Sequence, residues 1–292
     1  MAKLNKRAKY NRVRLFDVIL YAFLILFMAC IILPFMHLIA VSLSSPAYVG
    51  GGLVTFLPKG LTLMNYKGVL QGGSFIRAYR NTLFVTVVGT TLSLVTTAMC
   101  AYALSRRAIV GHKLFSLMIT FTMFFGGGLI PTYLAVAKYG LTDSLWAMIV
   151  PSMISTWNMI IMRSFFTAYP KEILESGYID GLQDSGVFFR LVLPTSKAAL
   201  ATIGLYYAVG YWNSYMPARI YIRVDELYPV QYHLQKILEL MSANETEADD
   251  VVLVSESVRS ACIMIVVLPI MCVYPFIQKY FVKGVMVGSI KG

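Results

Sequence analysis

The chain has 292 residues, 58% of them hydrophobic and 13% charged, with a formal net charge of +11. Soluble domains carry about a quarter of their residues as charged side chains, so this composition excludes an ordinary water-soluble globule and points to a membrane protein. Cys30, Cys100, Cys262 and Cys272 all fall in apolar runs, where they read as small buried residues and not as disulfides or metal ligands.

In chain order, Lys3, Lys6, Arg7, Lys9, Arg12 and Arg14 make residues 1–16 a basic tail ahead of the first apolar run. That run exceeds a signal-peptide core of roughly 7 to 15 residues, and no small-x-small site follows it promptly. It therefore reads as a retained anchor, with a cleaved signal as the alternative.

Charge-free runs predict six membrane-spanning helices: Val18–Ser42, Asn81–Leu104, Leu114–Ala137, Ser144–Met162, Ala198–Met216 and Ala261–Ile277. Each holds roughly 17 to 25 mostly apolar residues, enough at about 1.5 Å per residue to cross about 30 Å of hydrocarbon. Residues 17–292 are thus expected to form one all-α polytopic transmembrane domain with both termini on the same side.

Helix breakers sit inside several spans: Pro34, Gly126-Gly127-Gly128 with Pro131, Pro151, and Pro269 with Pro275. Membrane helices tolerate them because neighbours satisfy the freed backbone groups; close packing or a kink is one reading and a hinge in a translocation pathway the other. His37 inside the first span is expected to form a helix-to-helix hydrogen bond rather than to carry protons.

Two connections are long. Residues 43–80 carry Gly50, Gly51, Gly52, Pro58, Gly60, Gly72 and Gly73 and read as turn-rich. Residues 217–259 hold Val230, Leu234, Ile237, Leu238 and Met241 at helical spacing, followed by the acidic run 244–250. That connection either reaches a partner or packs on the surface.

Charge sets the orientation. With the N-terminus inside, the inner segments hold 16 of the 25 Lys and Arg residues but only 5 of the 14 acids, so the whole +11 excess lies inside. Anionic inner-leaflet lipid accounts for the basic balance, and no nucleic acid is required.

The inner connection 167–194 is the most informative stretch. Pro170 is expected in a first helical turn, Glu172 complements the positive helix end and Gly181 stops the helix after about ten residues. Leu174, Tyr178 and Leu182 form one apolar stripe, while Glu175 and Asp180 point elsewhere. So short a helix is marginal alone in water and needs a partner surface. Four acids keep the loop out of lipid, where each would cost about 2.5 to 3.5 kcal/mol.

Glu175-Ser176-Gly177, then Asp180-Gly181 and finally Arg190-Leu191-Val192-Leu193-Pro194, resemble the EAA loop of bacterial ABC importer permeases. Ser176 and Gly177 stand where the naming alanines would be, and both remain small. The tail Gln278–Gly292 and the segment Leu57–Tyr66 are similar to carbohydrate-importer permeases of the maltose-permease type, in their oligosaccharide-associated, LplC-like branch. The resemblance runs from about Val18 to Gly292.

It implies a type I ABC importer permease fold in the bacterial cytoplasmic membrane, with the loop as a coupling helix seated on a cytoplasmic ATPase through Leu174, Glu175, Ser176, Gly177, Tyr178, Asp180 and Gly181. The implied partners are a second homologous permease, two ATPase subunits and an extracytoplasmic solute-binding protein that delivers a sugar or oligosaccharide. This chain has no Gly-x-x-x-x-Gly-Lys-Ser/Thr loop. It is expected to bind no cofactor, with ATP and magnesium at the partner.

Sugar recognition combines aromatic faces with amides or carboxylates. Tyr207, Tyr211 and Tyr215 recur every four residues in the fifth span beside Trp212 and Asn213, and Trp157 adjoins Asn158 in the fourth. These residues either line the pathway or form an interfacial aromatic belt. The rival readings are a same-fold permease for amino acids or polyamines and, from another class, a membrane-embedded lipid-modifying enzyme. The second would need Ala-Arg after Asp180-Gly181, where Leu182-Gln183 stands.

Overall fold

The structure, a computed structural model, describes residues 15–71, 73–106, 109–244, 256–272 and 275. The basic tail as far as Arg14, the acidic run 245–250, most of the end of the sixth predicted span and the C-terminal motif lie outside them. All elements among the described residues are helical. They fall into two compact units, Met1–Val69 with Met241–Ile265 and Leu70–Leu240 with Val266–Gly292.

In the first unit, helix α1 (Leu15–Ser42) is apolar on every side and exposes its side chains along almost its whole length, as a helix surrounded by lipid does. Its end is tied to the turn-rich segment, which includes α2 (Pro46–Gly50) and α3 (Met64–Gln71). Buried Asn65 donates through Nδ2 to the carbonyls of Ser42 and Ser44, each at 3.1 Å. The Tyr66 hydroxyl donates to Ser42 Oγ at 2.8 Å, and Ala40, Val41, Val49 and Val54 form a small core. His37 Nδ1 donates to the backbone carbonyl of Thr55 at 2.7 Å. The expected helix-to-helix bond is thus replaced by one to a loop carbonyl that has no ladder partner.

The second unit is organised around α4 (Ser74–Ser105), which packs along α8 (Thr156–Thr167) and α12 (Lys197–Trp212). Gly89, Ser93, Thr97 and Ala101 recur every four residues and are all buried. Such a stripe lets membrane helices approach closely. A Cβ on Gly89 would lie 2.9 Å from the Tyr211 ring. At 32 residues α4 is about 48 Å long, more than a hydrocarbon core of about 30 Å requires.

Three predicted spans are not single helices. The third divides into α5 (His112–Phe124) and α6 (Leu129–Lys138), bent by 115° at the three glycines. The fourth begins as α7 (Trp146–Ile149), passes through a 3-10 turn at Val150–Ser152 that contains Pro151, and restarts at α8 with the Ser155 hydroxyl as cap. The fifth ends at Trp212, four residues early, and α13 (Met216–Tyr221) starts a separate turn around Pro217.

By length and apolarity two described helices can cross a membrane, Phe16–Ser42 and Ser74–Ser105, or up to four if each bent pair is one span. The predicted amphipathic segment forms α14 (Val230–Asn244). The sixth predicted span is helical over residues 256–272, five residues ahead of its expected start.

Candidate functional site

The loop 167–194 folds as a short helix, α9 (Lys171–Ile179), followed by one turn, α10 (Asp184–Val187), and a π-helical turn at Phe188–Val192. Pro170 occupies the cap position just ahead of α9 and not its first turn. At the other end the Gly181 N–H donates to the Tyr178 carbonyl and the Leu182 N–H to the Gly177 carbonyl, both at 3.0 Å. This paired closure requires a left-handed residue, supplied by Gly181 at φ +80°. The Asp180-Gly181 pair is therefore a helix stop.

The chain's own residues cover the apolar stripe only in part, since Tyr178 is 40% exposed. Leu174 and Gly177 are buried, and a Cβ on Gly177 would lie 2.6 Å from Leu191 Cδ1 and 3.3 Å from Val187 Cγ2. Leu182 lies against Gly186. The surface left open holds Glu172, Glu175, Ser176 and Asp180 together with Ile173, Tyr178 and Ile179, the last 85% exposed. The loop's own second half thus closes on Gly177, and the surface open to a partner mixes acids with Ile173, Tyr178 and Ile179.

One cluster ties this loop to α4. Arg106 follows the last residue of α4, and its Nη2 donates to the hydroxyls of Tyr102 at 2.7 Å and Tyr178 at 3.1 Å. Its guanidinium carbon lies 5.0 Å from the Tyr102 ring centre and 5.9 Å from that of Tyr178, within range of cation–π attraction. The Tyr178 hydroxyl in turn donates to Asp184 Oδ1. The Tyr102 ring rests on Phe188 at 4.8 Å, and a cavity of about 460 Å³ opens beside the cluster.

Burial, and next the bond to Asp184, push the Tyr178 phenol up to about 12, so it stays a donor. Burial pulls the Arg106 guanidinium down, but the Tyr102 bond and the neighbouring charge of Asp184 outweigh it and the net shift is upward. Displacement of α9 must therefore either move the end of α4 or break these contacts. Neither Arg106 nor Asp184 was singled out in the sequence. The signal available was a cation immediately after the charge-free run 81–105.

The span residues chosen for a sugar pathway separate into groups. Tyr207 and Tyr211 are buried against α4: the Tyr207 hydroxyl bonds Thr97 Oγ1 at 2.7 Å and receives the Ser155 N–H at 2.9 Å, and the Tyr211 hydroxyl bonds Ser93 Oγ at 2.8 Å. They line a cavity of about 340 Å³ with Asn158, Ser152, Ser155 and Ser214. Trp157 is largely exposed, and Trp212 is buried with its ring 6.3 Å from Tyr79. Asn213 accepts from Gln231 Nε2 at 3.3 Å. Tyr215 leaves the expected face because α12 has already ended.

Fold and site define an integral membrane protein, helical throughout its described elements, whose longest described helix is tied at one end to a short, partly open amphipathic helix. Over 283 residues, 96% of this chain and 99% of the relative, it is 39% identical to the polygalacturonan/rhamnogalacturonan transport system permease protein YtcP of Bacillus subtilis. It is 40% identical over the full length of both chains to protein LplC of the same organism. A bacterial ABC transporter involved in the import of the acidic polysaccharide alginate matches over 93% of this chain and 99% of that one, with TM-score 0.85 and 33% identity. No family model matches. The chain belongs to the carbohydrate-importer permeases of the ABC transporter family, and it is a transport subunit, not an enzyme.

Proposed function

We propose that the chain forms half of the translocation pathway for an oligosaccharide, beside a second homologous permease, on two ATPase subunits and under an extracytoplasmic binding protein. Its relatives include permeases named for polygalacturonan and rhamnogalacturonan and for arabinooligosaccharides, and a structural match named for alginate import. The observation that carries the reading is the bonded chain from the open α9 through Tyr178 and Arg106 to α4. A coupling element needs this connection: ATPase closure would press on Glu175, Ser176 and Ile179, and the ties of Leu174, Gly177, Tyr178, Asp180 and Gly181 would pass the displacement into the bundle.

In this reading residues 1–16 are a cytoplasmic tail and 17–292 one transmembrane domain in the bacterial plasma membrane. It has six spans, both termini inside, and two of the spans are bent or broken at Gly126–Gly128 and Pro151. ATP and magnesium bind the partner ATPase. Asn158 is the pathway group of choice, since it lines the 340 Å³ cavity and its side chain forms no hydrogen bond among the described residues, whereas the hydroxyls of Tyr207 and Tyr211 serve packing.

Uptake by cells expressing the chain with its ATPase, second permease and binding protein tests this. ATP-dependent accumulation of an oligosaccharide such as trigalacturonate or maltotriose is expected. Accumulation of amino acids or polyamines with no sugar uptake would overturn it.

A further inference from the structure

At the end of α4 away from Arg106, a third cavity, of about 300 Å³, lies between that helix, the connection 222–229 and α14. By helix rise the two clusters are about 45 Å apart. The cavity is a built feature. Asn81 Nδ2 donates to the carbonyls of Glu226 and Tyr228 at 2.7 and 3.2 Å, and the Val230 N–H donates to Thr82 Oγ1 at 2.7 Å, so α4 fixes the backbone beneath it. His233 stands edge-on to Phe75 at 4.8 Å with Nε2 3.2 Å from Ser74 Oγ.

The lining mixes both signs of charge. Lys236 Nζ lies 3.0 Å from Asp225 Oδ1 and over the Tyr228 ring at 4.9 Å. Arg77 and Glu226 also line the cavity and form no ion pair among the described residues. Ile237 and Leu240 supply an apolar wall. Two cations and two carboxylates leave no net charge for a bare anion or metal ion, and no metal-binding group of three such side chains occurs among the described residues. A planar donor, Arg77, and a planar acceptor, Glu226, both lining one cavity and unpaired among the described residues, suit a ligand that offers hydroxyl donors and oxygen acceptors together. A sugar ring does so, and its C–H face matches the apolar wall.

We propose that this cavity is a sugar subsite of the permease, in which Arg77 and Glu226 hold one pyranose unit of the incoming oligosaccharide against Ile237 and Leu240. The assignment rests on the importer reading: with Arg106 on the ATPase side, the cavity is on the side from which substrate arrives. Arg77 takes ring or hydroxyl oxygens of a neutral sugar or the carboxylate of a uronic acid; Glu226 accepts from a hydroxyl pair in either case.

The test uses the assembled importer, both permeases with the ATPase, in lipid nanodiscs without the binding protein. Trigalacturonate and maltotriose carrying a diazirine are photolysed on it, and the labelled peptides are mapped. Label from either sugar is expected within residues 73–81 or 225–240. Arg77→Met and Glu226→Gln should each lower that labelling about tenfold. In the complete system each should raise the half-saturating sugar concentration for uptake while the maximal rate holds. Both side chains are exposed, so the variants are expected to fold. Label confined to other segments, or labelling unmoved by both substitutions, would overturn the subsite while wild-type sugar uptake left the importer reading standing. Failure of the wild type to take up any sugar would overturn the importer reading itself.

Discussion

Replacing Arg106 by Met keeps most of the stem but removes the donor that bonds Tyr102 at 2.7 Å and Tyr178 at 3.1 Å. Hydrogen bonds to charged groups contribute about 1.5 to 3 kcal/mol each in mutational series. Arg106 is only partly shielded from water, and its Nε has no partner among the described residues, so solvent screening lowers the sum beneath the roughly 3 to 6 kcal/mol of two full bonds, to about 2 kcal/mol. At about 1.4 kcal/mol per decade this weakens the hold of α4 on the loop roughly thirtyfold. α9 keeps its own helix stop and its packing on Val187 and Leu191, so the subunit should assemble normally. The assay is sugar imported per ATP hydrolysed in proteoliposomes. Hydrolysis should persist while the ratio falls severalfold, with Tyr178→Phe giving a smaller fall in the same direction. An unchanged ratio in Arg106→Met would refute the inference that this cluster carries force.

Gly181→Leu forces a bulky residue into a left-handed conformation at φ +80°, a strain of about 1 to 2 kcal/mol. Transport should drop while membrane insertion holds, and Gly181→Asn should restore most of the loss. Tyr211→Phe strips buried Ser93 of its 2.8 Å partner and should lower stability by about 1 to 3 kcal/mol; Gly89→Leu, driven into the same ring, should cost more, both read from thermal unfolding in detergent.

Burial first, then the charges of Lys236 and Arg77, lower the His233 pKa below its ordinary 6.5, with Asp225 opposing and Ser74 and Phe75 in contact. The unfolded segment therefore binds more protons than the folded one below about pH 6.5, and stability there is lost as pH falls. Intrinsic-rate-corrected hydrogen exchange of residues 222–240 should accelerate from pH 7.5 to 5.5 in the wild type and not in His233→Gln.

The helical class was plain from sequence because charge-free runs of span length admit little else. The loop was legible because Pro170, Glu172 and Gly181 are local signals, and capping is a short-range effect. The stripe Leu174, Tyr178, Leu182 was read as a face needing a partner surface, but Leu191 and Val187, which close on Gly177 beside it, come back through a π-helical turn near Pro194 that no periodicity announces. The Arg106 cluster joins residues 72 positions apart, a distance over which spacing carries no information. The fifth span was drawn too long because Tyr215 continues the pattern of Tyr207 and Tyr211, although Asn213 and Pro217 mark the turn. The repeat Gly89, Ser93, Thr97, Ala101 was visible and identifies the packing face of α4.

The central claim is that the open face of α9 meets an ATPase. A single cysteine at Ile179, 85% exposed, with the four native cysteines replaced, can be cross-linked to cysteines placed around the nucleotide-binding subunit in the assembled importer. The account predicts an efficient cross-link whose yield changes when ATP is bound. Capture of no ATPase, or labelling of Ile179→Cys by an impermeant reagent from outside intact cells, would contradict it.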